Sequence, residues 1–143
     1  MKAIVIYETL TGNTRSTADA IAAELERSSV ATTVCPITTI DHQALSEAEL
    51  VVVGSWTDGL VLFGQRPGRA ARLQKLPVID GKKAAVFCSY AVNPGRTLEK
   101  MDKIVTNRGG DVIGGMAIKR NKIEQGAAEM VDRLLGALDA ASS

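Results

Sequence analysis

Short apolar runs alternate with segments of helical period along nearly the whole chain, and this alternation most narrows what it can fold into. The runs occupy 2–7, 32–36, 49–54, 84–88 and 111–118. Their centres are continuously apolar, as in Ile4-Val5-Ile6 and Leu50-Val51-Val52-Val53, which predicts strands covered on both faces. Between them, Ala18, Ile21, Ala22 and Leu25 form the stripe of a helix over 14–27. Leu98, Met101, Ile104 and Val105 do the same over 95–107, with Gly109-Gly110 as the stop. Ile123, Ala127, Met130, Val131, Leu134 and Leu138 define a last helix, and 41–47 reads as a short one. Residues 60–80 resist assignment, because Gly64, Pro67 and Gly68 interrupt any period before 70–73. The terminal 140–143 is expected to fray.

Strict alternation within 143 residues predicts one domain over 1–143, an α/β protein built as a three-layer α/β/α sandwich. Its five-stranded parallel sheet takes the order 2-1-3-4-5, with binding loops at the C-terminal strand ends. At 45% hydrophobic and 23% charged, the composition excludes wholesale disorder. No apolar run approaches the roughly 20 residues of a membrane helix. Met1-Lys2 leads into too few apolar residues before Glu8 for a signal peptide. Cys35 and Cys88 lack CxxC spacing and sit in apolar runs, so two reduced core thiols are expected. His42 is the sole histidine, which excludes a His-rich metal site. A cytoplasmic location is the resulting expectation. Seventeen basic and sixteen acidic side chains, net +1, fit no general nucleic-acid binder.

The first strand ends in Tyr7-Glu8-Thr9-Leu10-Thr11-Gly12-Asn13-Thr14-Arg15, and a helix follows at once. Amides left unpaired in a first helical turn point outward, and the helix dipole favours negative charge there. Thr9, Thr11 and Thr14 can each donate a hydroxyl proton to a phosphate oxygen, and Gly12 allows a turn that a β-carbon obstructs. Taken alone, Thr or Asn here also reads as a simple helix cap. Its place between the first strand and an amphipathic helix is what favours a phosphate site.

Rival motifs fail. No G-x-G-x-x-G occurs, so the dinucleotide fingerprint is absent. Gly54 and Gly59 have P-loop spacing, but Leu60-Val61 follows where Gly-Lys-Ser/Thr is needed. A receiver domain needs an acidic pair after the first strand and an Asp ending the third. This chain offers Glu8 and Gly54-Ser55 instead.

T-x-T-G-N-T closing the first strand of a chain this long resembles the flavodoxins, the small FMN-binding electron carriers. The resemblance implies that the loop from Thr9 through Leu10, Thr11, Gly12 and Asn13 to Thr14 cradles the FMN phosphate. It also implies two loops that flank the ring. The first, after the third strand, is Ser55, Trp56, Thr57, Asp58 and Gly59. The second, after the fourth, carries Ser89, Tyr90, Ala91 and Asn93. Trp56 and Tyr90, two of only five aromatics in the chain, thus fall just past neighbouring strand ends, where stacking on a flat heterocycle needs them. Thr57 stands where the family commonly has a Gly whose peptide turns toward flavin N5.

Charge separates the readings of function. Residues 1–71 carry five basic and eight acidic groups, net −3, and 72–143 carry twelve and eight, net +4. Within 60–83, six basic groups face Asp80 alone. Carriers of the family usually present an acidic rim, whereas Arg66 and Arg69 suggest an acidic redox partner or an anionic small molecule. The leading expectation is an FMN-binding electron-transfer protein. The alternatives are an FMN-dependent oxidoreductase acting on a quinone or porphyrinogen-like substrate, and an interaction module that has lost tight flavin binding.

Overall fold

The computed structural model describes residues 1–8, 13–58, 66–67, 76–91 and 93–142. The first apolar run forms β1 (Lys2–Tyr7), whose side chains serve two cores at once. Ala3, Val5 and Tyr7 turn to one face and Ile4 and Ile6 to the other, as the period of two along a strand requires. α1 (Asn13–Arg27) follows and buries Thr14, Thr17, Ala18, Ile21, Ala22 and Leu25 along one stripe. It stops where Ser29 takes a left-handed φ of 66° and the Val30 N–H returns to the Leu25 carbonyl at 3.0 Å.

The chain then runs through β2 (Ala31–Pro36), a 3-10 turn (Ile37–Thr39) and α2 (His42–Glu47). Asp41 caps α2 by accepting the Ala44 N–H at 2.9 Å. β3 (Leu50–Asp58), β4 (Arg66–Pro67), β5 (Lys83–Tyr90), α3 (Thr97–Asn107), β6 (Asp111–Lys119) and α4 (Ile123–Ser142) complete the order. Five strands pair in parallel as β2-β1-β3-β5-β6, the predicted 2-1-3-4-5 arrangement. The added β4 pairs antiparallel with β3 inside the stretch that resisted assignment, setting Arg66 opposite Asp58 and Pro67 opposite Thr57.

Helices cover both faces. α1 and α4 pack over Val5, Val52, Ala85 and Phe87, with Leu25, Met130 and Leu134 completing that core. α2 and α3 cover the opposite face, where Val51, Val53 and Val86 meet Leu45, Met101 and Ile104. Cys35 and Cys88 are both buried there, with no disulfide between them. Burial pushes the Cys35 thiol above its ordinary value. The Asp41 carboxylate adds to that rise, while the Asp41 backbone hydrogen bond opposes it.

Three expectations shift. Coverage on both faces holds for β1, β3 and β5, but β2 and β6 are half-exposed because each borders the sheet with one neighbour. The chain's last helix reaches Ser142, where fraying was expected. β3 and β5 also outrun their apolar runs. Pairing with β5 carries β3 through Trp56, and pairing with β4 carries it to Asp58. Ser55, Trp56, Thr57 and Asp58, like Ser89 and Tyr90, are therefore strand residues and not loop residues. Polar composition marked a turn where a ladder partner was available.

Candidate functional site

The parallel register aligns the C-terminal strand ends in rows. Tyr7, Gly54, Phe87 and Met116 form one row across the sheet. Ser55, Cys88 and Ala117 follow, then Trp56, Ser89 and Ile118, and finally Tyr90 beside Lys119. Gly54 makes the first row possible. A Cβ there would sit 1.9 Å from Phe87 Cζ, so the ring of Phe87 occupies the space a side chain would need. The Gly54 carbonyl accepts the Glu8 N–H at 2.9 Å, continuing the ladder one residue past β1.

Ser89 is the meeting point of the site. Its hydroxyl lies 3.0 Å from Thr14 Oγ1, and both residues are buried. That contact joins the first turn of α1 to the end of β5, across 75 positions of sequence. On its other side Ser89 is the register partner of Trp56, and Tyr90 follows it in the chain. Trp56 and Tyr90 are both half-buried. Asn13 opens α1, and its carbonyl accepts the Thr17 hydroxyl at 2.8 Å. Ser55 is fully buried in β3 and belongs to the supporting layer.

The segment after β5 is locked by its own hydrogen bonds. Asn93 Oδ1 accepts the Gly95 N–H at 2.9 Å, and Gly95 takes a left-handed φ of 56°. Thr97, fully buried, donates its hydroxyl to the Pro94 carbonyl at 2.7 Å, and its N–H reaches the same oxygen at 3.2 Å. This turn hands the chain from β5 to α3 along a fixed path. Gly95 and Thr97 were not singled out as site residues, although Asn-Pro-Gly before a helix marks such a turn. Glu8, buried at 3% exposure beside the first loop, also escaped notice, because nothing in its neighbours signals a buried carboxyl. Ala91 is exposed at the lip of this segment.

Of the expected site residues, Asn13, Thr14, Trp56, Ser89 and Tyr90 gather at the same strand ends. The backbone of Thr57 and Asp58 continues β3 past Trp56, paired with β4. Thr9, Leu10, Thr11, Gly12 and Gly59 lie outside the described residues, as does Arg69. The chemistry present fits the group that the resemblance implies. A hydroxyl in the first turn of a helix suits a phosphate, and two half-buried aromatics on neighbouring strands suit a planar ring.

Comparison with known proteins agrees. Among curated proteins none is similar enough in sequence to count as a relative. Among solved structures, a cysteine-to-serine mutant of flavodoxin from Pseudomonas aeruginosa superposes with a TM-score of 0.74 at 16% identity, covering 97% of this chain and 99% of that one. Oxidised flavodoxin 2 from Bacillus cereus gives 0.74 at 21% identity, covering 95% and 99%. The rubredoxin oxygen:oxidoreductase of Desulfovibrio gigas gives 0.66 at 20% identity over 96% of this chain but 37% of its own, so there the same fold is one part of a larger protein. The flavodoxin domain family model matches residues 4–139. The chain belongs to the flavodoxin family of FMN-binding electron-transfer proteins.

Proposed function

We propose that this chain is a one-domain electron carrier that holds FMN at the C-terminal ends of β1, β3 and β5. The observation that carries the reading is the Thr14–Ser89 contact, because it unites the helix turn suited to phosphate with the strand that bears Tyr90 and adjoins Trp56. In this reading Thr9, Thr11 and Thr14 donate hydroxyl protons to the phosphate, with Leu10, Gly12 and Asn13 shaping the loop around it. Trp56 and Tyr90 shield the ring from water, assisted by Ser55, Thr57, Asp58 and Gly59 on one side and by Ser89, Ala91 and Asn93 on the other. Bound FMN supplies reversible electron transfer, and the chain tunes it through burial and hydrogen bonding.

Partners are redox proteins. Arg66 and Arg69 follow the ring-flanking strand, and we assign them to docking an acidic partner surface or an anionic small molecule. A reducing cytoplasm suits two buried thiols without a bridge. No helix among the described residues is long and apolar enough to cross a membrane.

Purification tests the reading. The protein should emerge yellow, absorbing at about 450 nm, or turn so on adding FMN. A colourless protein that ignores added FMN overturns it. The oxidoreductase alternative predicts in addition that a quinone is turned over catalytically without any partner protein, and the carrier reading predicts that it is not.

A further inference from the structure

The cations of this chain are not all used alike. At the end of the sheet away from the site several are engaged within the molecule. Lys2 pairs with Glu47 at 2.9 Å, Lys83 with Asp111 and Arg27 with Glu24. Lys82 Nζ donates to the Ala48 carbonyl at 2.7 Å and to that of Ser46 at 3.2 Å. At the site end, Lys119, Arg120 and Lys122 are exposed, and none is ion-paired to another described residue.

Backbone bonds fix these three beside the ring-flanking strand. Lys119, the last residue of β6, is the register partner of Tyr90. The Arg120 N–H donates to the Tyr90 carbonyl at 2.9 Å, and the Lys122 N–H closes the turn onto Lys119 at 2.9 Å. Beneath the turn lies a groove of about 450 Å³, floored by Tyr90, Met116 and Ile118 and rimmed by Lys119, Lys122 and Gln125. Acidic groups nearby are few or occupied. Glu129, which also lines the groove, is held by Arg133 at 2.6 Å, Glu99 is held by Arg96 at 2.9 Å, and Glu124 opens α4.

We propose that the Lys119–Lys122 turn and the groove beneath it dock an acidic redox protein, whose carboxylates meet these cations next to Tyr90. The inference rests on the carrier reading above and gives it a second basic contact besides Arg66 and Arg69. Exposed cations add little binding energy singly. Three within four residues, beside the strand that carries Tyr90, act mainly by steering an oppositely charged partner into place.

Charged oxidants read this field directly. The FMN-loaded protein is reduced and then mixed with ferricyanide, an anion, or with cytochrome c, a basic protein. Each accepts one electron, its iron passing from ferric to ferrous as the flavin gives that electron up. Raising ionic strength from about 0.01 to about 0.3 M should slow the ferricyanide reaction by about tenfold and speed the cytochrome c reaction. The variant Lys119→Glu/Arg120→Glu/Lys122→Glu should reverse both trends while still taking up FMN. Arg27→Glu/Lys103→Glu/Arg108→Glu, equal in charge change but away from the turn and its groove, should keep the wild-type trends. The proposal is overturned if both triple variants respond alike, or if the wild-type cytochrome c rate falls with salt. Failure to take up FMN is a separate result and defeats the carrier reading itself.

Discussion

At Gly54 a single hydrogen in place of a side chain decides how three strands end. Phe87 fills the space above it, so Gly54→Ala should lower stability by about 1–3 kcal/mol in thermal or urea unfolding, with Phe87→Leu in the same chain restoring part of the loss. The sequence marks Gly54 as the end of an apolar run, but the ring that requires it lies 33 positions on and enters through register alone. Thr14 and Ser89 show the same limit. Thr14 was singled out from its own neighbourhood and Ser89 through the resemblance, and their contact could be known only once β3 lay between β1 and β5. Cys35 offers a test by pH. Its folded thiol titrates above the ordinary value of 9.0, so the folded state keeps its proton where the unfolded chain has lost it. That contribution to stability is complete below the unfolded value and is lost as pH rises through the folded one. Unfolding midpoints of wild type should therefore fall more steeply than those of Cys35→Ala above pH ~9. Equal slopes would mean that the thiol is not shielded.

Elements were legible where periodicity was strong and illegible where pairing overrode composition. The stripes of α1, α3 and α4 announced themselves through Ile21, Met101 and Leu134 and their neighbours at helical spacing. The strand extensions through Trp56 and Tyr90 did not, because Ser, Thr and Asp read as turn formers until a neighbouring strand supplies their hydrogen bonds. β4 was hidden for the same reason, behind Gly64, Pro67 and Gly68. The turn from β5 to α3 is the element whose geometry matters most to the site. Thr97→Val keeps the shape but removes the hydroxyl that holds the Pro94 carbonyl, leaving that oxygen to the backbone N–H of the same position. The expected cost is about 1 kcal/mol of stability, together with weaker flavin binding, read by unfolding and by titration. Unchanged flavin affinity would separate this turn from the ring site.

For the whole molecule, a net charge of +1 conceals an exposed basic turn beside the candidate site. Lys2, Lys82 and Lys83 at one end are engaged with carboxylates and carbonyls, while the cations of the Lys119–Lys122 turn stand exposed at the other. Sequence halves of −3 and +4 hinted at asymmetry and drew attention to 60–83, but the Lys119–Lys122 turn went unremarked, since β6 brings it beside β5 only through the sheet order. The fold itself followed from alternation, and the family from one loop. The central claim is that this loop and the turn of α1 bind the FMN phosphate. It is tested most directly by titrating the flavin-free protein with FMN and with riboflavin, which differ by that phosphate. FMN should bind more tightly by at least about 1.4 kcal/mol, tenfold, and Thr11→Ala/Thr14→Ala should lose roughly 1–3 kcal/mol of FMN affinity while leaving riboflavin nearly unchanged. Equal affinity for the two flavins, or a double variant that binds FMN as well as wild type, would contradict the account.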